Sequence, residues 1–282
     1  MTCVASTPYE KNEPWKIVAI LHKGNIYLCA RDTPDKIQRK KRMSERDKQF
    51  TSWGFKFEQY MLSDKPDTLP NPDVPVDESE EFSLVMTSNL NRHTIVYGAE
   101  MDGIRCDKEP ASTPPNTNDP ETIIQYLSSQ EFIELKTNRH IEYSRHEKTF
   151  KMFKTKKWWL QSFLVGVDTI LCGFRNDNGL VEELKLFNVK VLPKISKNFW
   201  DPNVCFNFLD TFFTFVKRCL AGEIKRKYGE KYLNNIQGLP LLSLLFNWYP
   251  DAPVHVLDHY CHDDDPILHE WFLHNFGKSR NE

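Results

Sequence analysis

The sequence predicts an α/β (α+β) fold, a single domain with mixed β-sheets flanked by helices, and three observations carry that expectation. Apolar runs of strand length are interspersed with stretches of helical periodicity, without the regular alternation that builds an all-parallel sheet. Two turn signals, His22-Lys23-Gly24 and Asn176-Asp177-Asn178-Gly179, each join two strand-like runs. The 282 residues are 40% hydrophobic and 13% aromatic, enough to bury a substantial core. No composition break marks a linker, so residues 1–282 are expected to form one domain.

Taken in order, Lys16-Ile17-Val18-Ala19-Ile20-Leu21 and Asn25-Ile26-Tyr27-Leu28-Cys29 read as a hairpin. Ser44 to Leu62 places Phe50, Trp53, Phe57 and Tyr60 three and four apart, an amphipathic helix with Gly54 as its weak point. Prolines and acids from Asp64 to Glu80 indicate an exposed loop, followed by strands near Phe82 to Thr87 and Thr94 to Asp102. Residues 107–118 form a second exposed, proline-rich insertion. Asp119-Pro120-Glu121-Thr122 then starts a short helix ending near Ser129. A strand through Glu131-Phe132-Ile133 comes next. Arg145 to Leu164 reads as a long helix, basic in its first half. Strands Val167 to Phe174 and Val181 to Leu192 flank the Asn-Gly turn. Asn203 to Leu220 is a Phe-rich helix whose rings belong to the core. A strand near Val254 to Leu257 and a helix from Pro266 to Phe276 complete the chain. No fixed-period repeat is visible.

Bulk properties exclude several classes. A net charge of −2 and a pI near 6.5 give no whole-molecule signature of nucleic-acid binding. Basic residues cluster only locally, at Lys36, Arg39, Lys40, Lys41 and Arg42 and at Lys148, Lys151, Lys154, Lys156 and Lys157. Seven scattered cysteines without a CxxC pair read as reduced thiols. No run reaches membrane-spanning length and no signal peptide opens the chain, so a soluble intracellular protein without a membrane partner is expected.

The chemistry is concentrated in two short runs. In Glu100-Met101-Asp102 and Glu134-Leu135-Lys136, charged residues flank an apolar one. As strands, these would put the charged side chains on one face, with Met101 and Leu135 toward the core. Three carboxylates and an ammonium at neighbouring strand ends suit Mg²⁺ or Mn²⁺ beside a phosphate. The triplet alone is not specific, since Glu183-Leu184-Lys185 repeats it. Order separates the copies: a carboxylate strand followed by a strand ending in E-x-K is the Asp…(Asp/Glu)-x-Lys arrangement of metal-dependent nucleases.

Flanking motifs occur in one order: Thr7-Pro8-Tyr9-Glu10, Gly54-Phe55-Lys56-Phe57-Glu58-Gln59-Tyr60-Met61, Asp64-Lys65-Pro66, Glu100-Met101-Asp102 and Glu134-Leu135-Lys136-Thr137. After them come Lys157-Trp158-Trp159-Leu160-Gln161-Ser162-Phe163-Leu164 and Gly173-Phe174-Arg175. Over nearly the whole chain this closely resembles the decapping exoribonuclease (Dom3Z/Rai1) family.

The resemblance implies a fold related to that of the other Asp…(Asp/Glu)-x-Lys nucleases. It implies that Glu58, Glu100, Asp102 and Glu134, with the Leu135 carbonyl, ligate two divalent cations, Mg²⁺ or Mn²⁺. Glu100, Lys136 and Gln161 would be the catalytic, substrate-contacting residues, with Lys136 and Gln161 at the scissile phosphate and attacking water. The implied substrates are RNA 5′ ends bearing a triphosphate, an incomplete cap or an NAD cap, with 5′→3′ exoribonuclease activity in some members. A nuclear 5′→3′ exoribonuclease is the implied protein partner, and nucleus and cytoplasm the implied locations.

Members of this kind also carry a longer amino-terminal region, with a Trp-Arg-Gly segment whose arginine belongs to the site. Here Thr7 lies six residues after Met1, so an amino-terminally shortened member is expected. A second reading follows from that: a catalytically impaired protein that binds RNA ends or stabilises an exonuclease. A third is a DNA nuclease of the same broad group. The tail residues His255, His259 and His262, followed by Asp263, Asp264 and Asp265, fit no zinc register and read as a solvated group. Cys172 and Cys219 read as buried thiols.

Overall fold

A computed structural model describes residues 1–66, 68–106, 112–257 and 266–275. In chain order the elements are α1 (Thr2–Ser6), β1 (Trp15–His22), β2 (Asn25–Arg31), α2 (Pro34–Lys41), α3 (Glu45–Met61), β3 (Ser83–Leu90), β4 (His93–Glu100) and β5 (Gly103–Ile104). They continue with α4 (Pro120–Ser129), β6 (Phe132–Arg139), α5 (Ser144–Thr149), α6 (Thr155–Leu164), β7 (Thr169–Arg175), β8 (Val181–Asn188), α7 (Leu192–Ile195), α8 (Pro202–Tyr228), β9 (Leu242–Trp248), β10 (His255–Leu257) and α9 (Glu270–Asn275). A π-helical turn, Phe150–Lys154, joins α5 to α6. The mixed α+β class expected from the sequence is the one observed. Among the described residues no helix is long and apolar enough to cross a membrane.

The chain gathers into two compact units, one from residues 3–42 with 205–282 and one from 43–204. The first holds an antiparallel sheet in the order β10-β9-β1-β2. Its hairpin turns on Lys23 (φ 48°) and Gly24 (φ 83°), between the paired residues His22 and Asn25. Positive φ at both central residues matches the right-handed twist of the strands, which is why the sequence signal was readable. Helix α8 lays the stripe Leu209, Phe212, Val216 and Leu220 along this sheet, with Phe212 edge-on to Trp15 and to Phe246. It runs a further eight residues beyond Leu220, to Tyr228. Gly229 (φ 97°) closes it by giving its N–H to the carbonyls of Ile224 and Lys225.

The second unit contains the β3-β4 hairpin and a four-stranded sheet in the order β5-β6-β7-β8, with β6 and β7 parallel. Helix α3 starts at Ser44, whose hydroxyl accepts the Asp47 N–H, and packs Phe57 onto Ile133 and Leu135. The opposite face takes the turn Phe150–Lys154 and α6, through Phe150 against Phe174 and Trp158 against Phe187. The expected single helix from 145 to 164 is therefore broken by the π turn. A cause is visible: the Lys151 carbonyl accepts from the Thr155 hydroxyl at 2.8 Å and from the Trp200 indole at 3.2 Å, which favours an interrupted ladder there.

Two further expectations shift. The strand expected to reach Asp102 stops at Glu100, because Met101 still donates to Phe82 but Gly103 already pairs with Ile133 in the other sheet. The strand expected to reach Leu192 ends at Asn188, whose side chain accepts the Lys190 N–H and starts a 3₁₀ turn. His259, His262 and the three following aspartates lie outside the described residues; His255 is exposed at the start of β10.

Candidate active site

All seven residues singled out from the sequence lie in the unit formed by 43–204. Glu58 comes from the last turns of α3, Glu100 ends β4, Asp102 precedes β5, Glu134, Leu135 and Lys136 are on β6, and Gln161 is on α6.

The local geometry turns on Asp102. Gly103 faces Ile133, Ile104 faces Phe132, and Arg105 donates to the Glu131 carbonyl. Continuing that register would place Met101 opposite Leu135. Met101 instead gives its N–H to Phe82 at 2.8 Å, and the Asp102 carboxylate takes the Leu135 N–H at 2.6 Å. A side chain thus replaces the next rung of the ladder, and β6 is left with an open edge at Leu135. A strand residue exchanging both bonds with a partner presents its N–H and C=O to the same side. The Leu135 carbonyl therefore faces the Asp102 edge, as the ligand role expected of it requires.

The expected split of faces is present on β6. Leu135 is buried under Phe57, and Glu134 and Lys136 lie on the other face, ion-paired to each other. Met101 is buried as expected, although Glu100 and Asp102 do not share one strand.

The electrostatics show that five charged groups have been gathered. Burial, then the repulsion of Asp102, pushes the Glu58 carboxyl up to about 7, with Glu100 and Glu134 adding to it and Lys136 opposing. Burial and Asp102 likewise raise Glu100. Burial raises Glu134 too, against the attraction of Lys136. Burial pulls Lys136 down, but Glu134 and Asp102 outweigh it and hold the ammonium above the ordinary lysine value. Four carboxylates thus face one ammonium, a net charge of −3 when all ionise, in a partly desolvated setting where like charges are costly.

That donor set fits a hard divalent cation, which takes carboxylate and carbonyl oxygens and would relieve the repulsion. Among the described residues no three His, Cys, Asp or Glu side chains already stand in coordinating array. In this arrangement Asp102 accepts the Leu135 N–H and Glu134 pairs with Lys136. Gln161 is half-buried, between the buried Leu160 and Ser162, and has no hydrogen bond to the charged five. The second E-x-K triplet lies on the exposed edge strand β8, away from this gathering.

Two contacts that the sequence did not reveal position the site. Gly173 on β7 lies under Phe57, so close that a Cβ there would meet the ring at 2.6 Å. The first half of α3 is clamped by Arg175, whose guanidinium lies 4.7 Å from the Phe50 ring centre and 4.6 Å from that of Trp53. Both belong to the Gly173-Phe174-Arg175 motif, and both act on the helix that carries Glu58.

A family model described as RAI1 like PD-(D/E)XK nuclease matches residues 1–245. The human decapping and exoribonuclease protein is 31% identical over 278 residues, which is 97% of this chain and 62% of that protein. The Drosophila melanogaster decapping and exoribonuclease protein Rai1 is 32% identical over 248 residues, 85% of this chain and 63% of its own length. The chain thus spans somewhat over three-fifths of these curated relatives. Two solved structures share its fold. Scheffersomyces stipitis Rai1 in complex with (3′-NADP)⁺ and calcium ion has a TM-score of 0.70 at 15% identity, covering 96% of this chain and 69% of that one. Candida albicans Rai1 in complex with pU5-Mn²⁺ has a TM-score of 0.68 at 18% identity, covering 96% and 70%.

Proposed function

The chain belongs to the RAI1-like PD-(D/E)XK nuclease family, and from that premise we propose that it is a metal-dependent hydrolase of RNA 5′ ends. Its reactions would be pyrophosphate release from 5′-triphosphate RNA, removal of incomplete or NAD caps, and 5′→3′ exonucleolysis, all hydrolyses at phosphorus. The observation that carries the reading is the convergence of Glu58, Glu100, Asp102 and Glu134 around one ammonium, Lys136. Relatives named for decapping and exoribonuclease activity support the reaction class, and the Rai1 complexes with pU5-Mn²⁺ and with (3′-NADP)⁺ support the substrate class.

The four carboxylates and the Leu135 carbonyl would hold divalent cations, Mg²⁺ or Mn²⁺, two in this reading. Once bound, such ions supply Lewis acidity and a nucleophilic hydroxide at neutral pH. The chain's own groups do the rest. Lys136 keeps its proton because Glu134 and Asp102 stabilise the ammonium, so it offers a fixed positive charge to the scissile phosphate as charge builds on its oxygens. The Asp102–Leu135 bond fixes the edge of β6 from which Glu134 and Lys136 project. Gln161 is positioned by α6, whose Trp158 and Trp159 are buried, and would orient the attacking water through its amide.

For a 5′→3′ exoribonuclease partner and for a nuclear location, the support is family resemblance. The experiment for the whole reading is a panel of 5′-triphosphate, unmethylated-cap and NAD-capped RNAs with Mg²⁺ or Mn²⁺. Product is expected from at least one, and none from Glu134→Gln.

A further inference from the structure

Among the described residues, β3 and β4 pair only with each other. A two-stranded ribbon on its own is marginal in water. Yet the last residue of this ribbon is Glu100, one of the four carboxylates of the candidate active site. Contacts beyond its own ladder must therefore hold it. The exit from the ribbon is tied to β6 through Asp102 and Gly103. Its two faces show a second hold. Leu84 and Met86 on β3, opposite Ala99 and Tyr97 on β4, are half-buried, while Val85 and Val96 on the other face are exposed. Side chains alternate along a strand, so Tyr97 sits on the covered face and Glu100, three residues later, on the open one.

The Tyr97 hydroxyl donates to the main-chain carbonyl of Leu164, the last residue of α6. A helix leaves its final carbonyls without N–H partners, and a covered one left unmet is costly. At this end the N–H groups of Val165 and Val167 turn back to the Ser162 carbonyl and that of Gly166 to the Phe163 carbonyl. The Leu164 carbonyl is met by a side chain from β4. A tyrosine suits the task, since its rigid ring places one hydroxyl at a fixed reach with only two side-chain torsions to order.

The bond joins two parts of the site. Leu164 is three residues beyond Gln161, about 4.5 Å along the helix axis. Tyr97 is three residues before Glu100, about 10 Å along the strand. Helix α6 is the firm side of the pair, because its Trp158, Trp159 and Leu160 are buried. The ribbon is the side that needs holding.

Resting on the function proposed above, we propose that Tyr97 is a positioning residue of the hydrolysis. Its hydroxyl ties the strand that presents Glu100 to the helix that presents Gln161, and so sets the spacing between a metal-ligating carboxylate and the amide that orients the attacking water.

Tyr97→Phe tests this by removing one oxygen and keeping the ring. In calorimetric titration with Mn²⁺ alone, the variant should bind up to about 10-fold more weakly. The amides of β3 and β4 should exchange with solvent faster than in wild type, while those of β1 and β9 keep their protection. On 5′-triphosphate RNA at saturating Mn²⁺, kcat should fall by about 10- to 100-fold with KM little changed. A merely structural loss would lower kcat by the same factor in any background. A positioning loss acts through Gln161, so Tyr97→Phe should lower kcat much less in a Gln161→Ala chain. Wild-type Mn²⁺ affinity and kcat in Tyr97→Phe, or a kcat loss as large in Gln161→Ala as in the parent chain, would overturn the proposal. If the wild-type chain hydrolyses none of the RNA substrates, it is the catalytic reading that fails, and Mn²⁺ binding and amide exchange still decide whether Tyr97 holds Glu100.

Discussion

The carboxylate of Asp102 accepts the main-chain N–H of Leu135 at 2.6 Å, taking the place of a strand partner just before β5 begins. This residue is therefore structural and chemical at once, and substitutions at it should separate the two roles. Asp102→Ala leaves the N–H of a 2%-exposed residue unpaired, at a cost of about 1–3 kcal/mol. Asp102→Asn can still accept that hydrogen bond but has lost its charge. Thermal unfolding should show Asn much closer to wild type than Ala, with hydrolysis absent from both.

Glu58 gives the metal-free protein a pH signature. Its folded-state carboxyl titrates near 7, above the ordinary 4.5, because burial and Asp102 disfavour the anion. The fold thus holds the Glu58 proton more tightly than the unfolded chain does. The associated stability is fully present below about pH 4.5 and is lost as pH rises through about 7. Urea unfolding in EDTA should show this decline, and Glu58→Gln should flatten it. Added Mn²⁺ should restore stability most strongly above pH 7, where Glu58 is ionised.

Lys136→Met should lower kcat by about 10²–10³-fold, the usual cost of removing one preorganised donor at a developing charge. The fold should survive, since Glu134 already has a raised pKa and can take up a proton once its ammonium partner is gone. Circular dichroism and steady-state kinetics on the same samples would check both halves.

Gly173→Ala should impair the site from behind. The new methyl would press on Phe57, next to Glu58, at a cost of about 1–3 kcal/mol. Apparent metal affinity, from the Mn²⁺ dependence of hydrolysis, should weaken. Pairing it with Phe57→Leu, which makes room, should recover part of the loss.

Much of this was legible in the sequence because the signals were local. Lys23-Gly24 and Asn178-Gly179 announce their turns through the backbone angles they permit. Ser44 and Asp119 announce helix starts through their side-chain caps. The spacing of Glu134 and Lys136 announces one strand face. What stayed hidden depends on distant partners. Nothing near Glu100 indicates that Met101 and Gly103 pair in different sheets, since Phe82 and Ile133 decide it. The π turn depends on Trp200, some fifty residues on. The motif Gly173-Phe174-Arg175 stood out in sequence without a reason; the packing of Phe57, Phe50 and Trp53 supplies one.

The most direct test of the central claim is release of product from 5′-triphosphate, unmethylated-cap and NAD-capped RNA by the purified chain. It should be run with and without Mg²⁺ or Mn²⁺, beside Asp102→Asn and Glu134→Gln. The account predicts metal-dependent product from at least one substrate and none from either variant. Product formed without the ion, or formed undiminished by both variants, would contradict it.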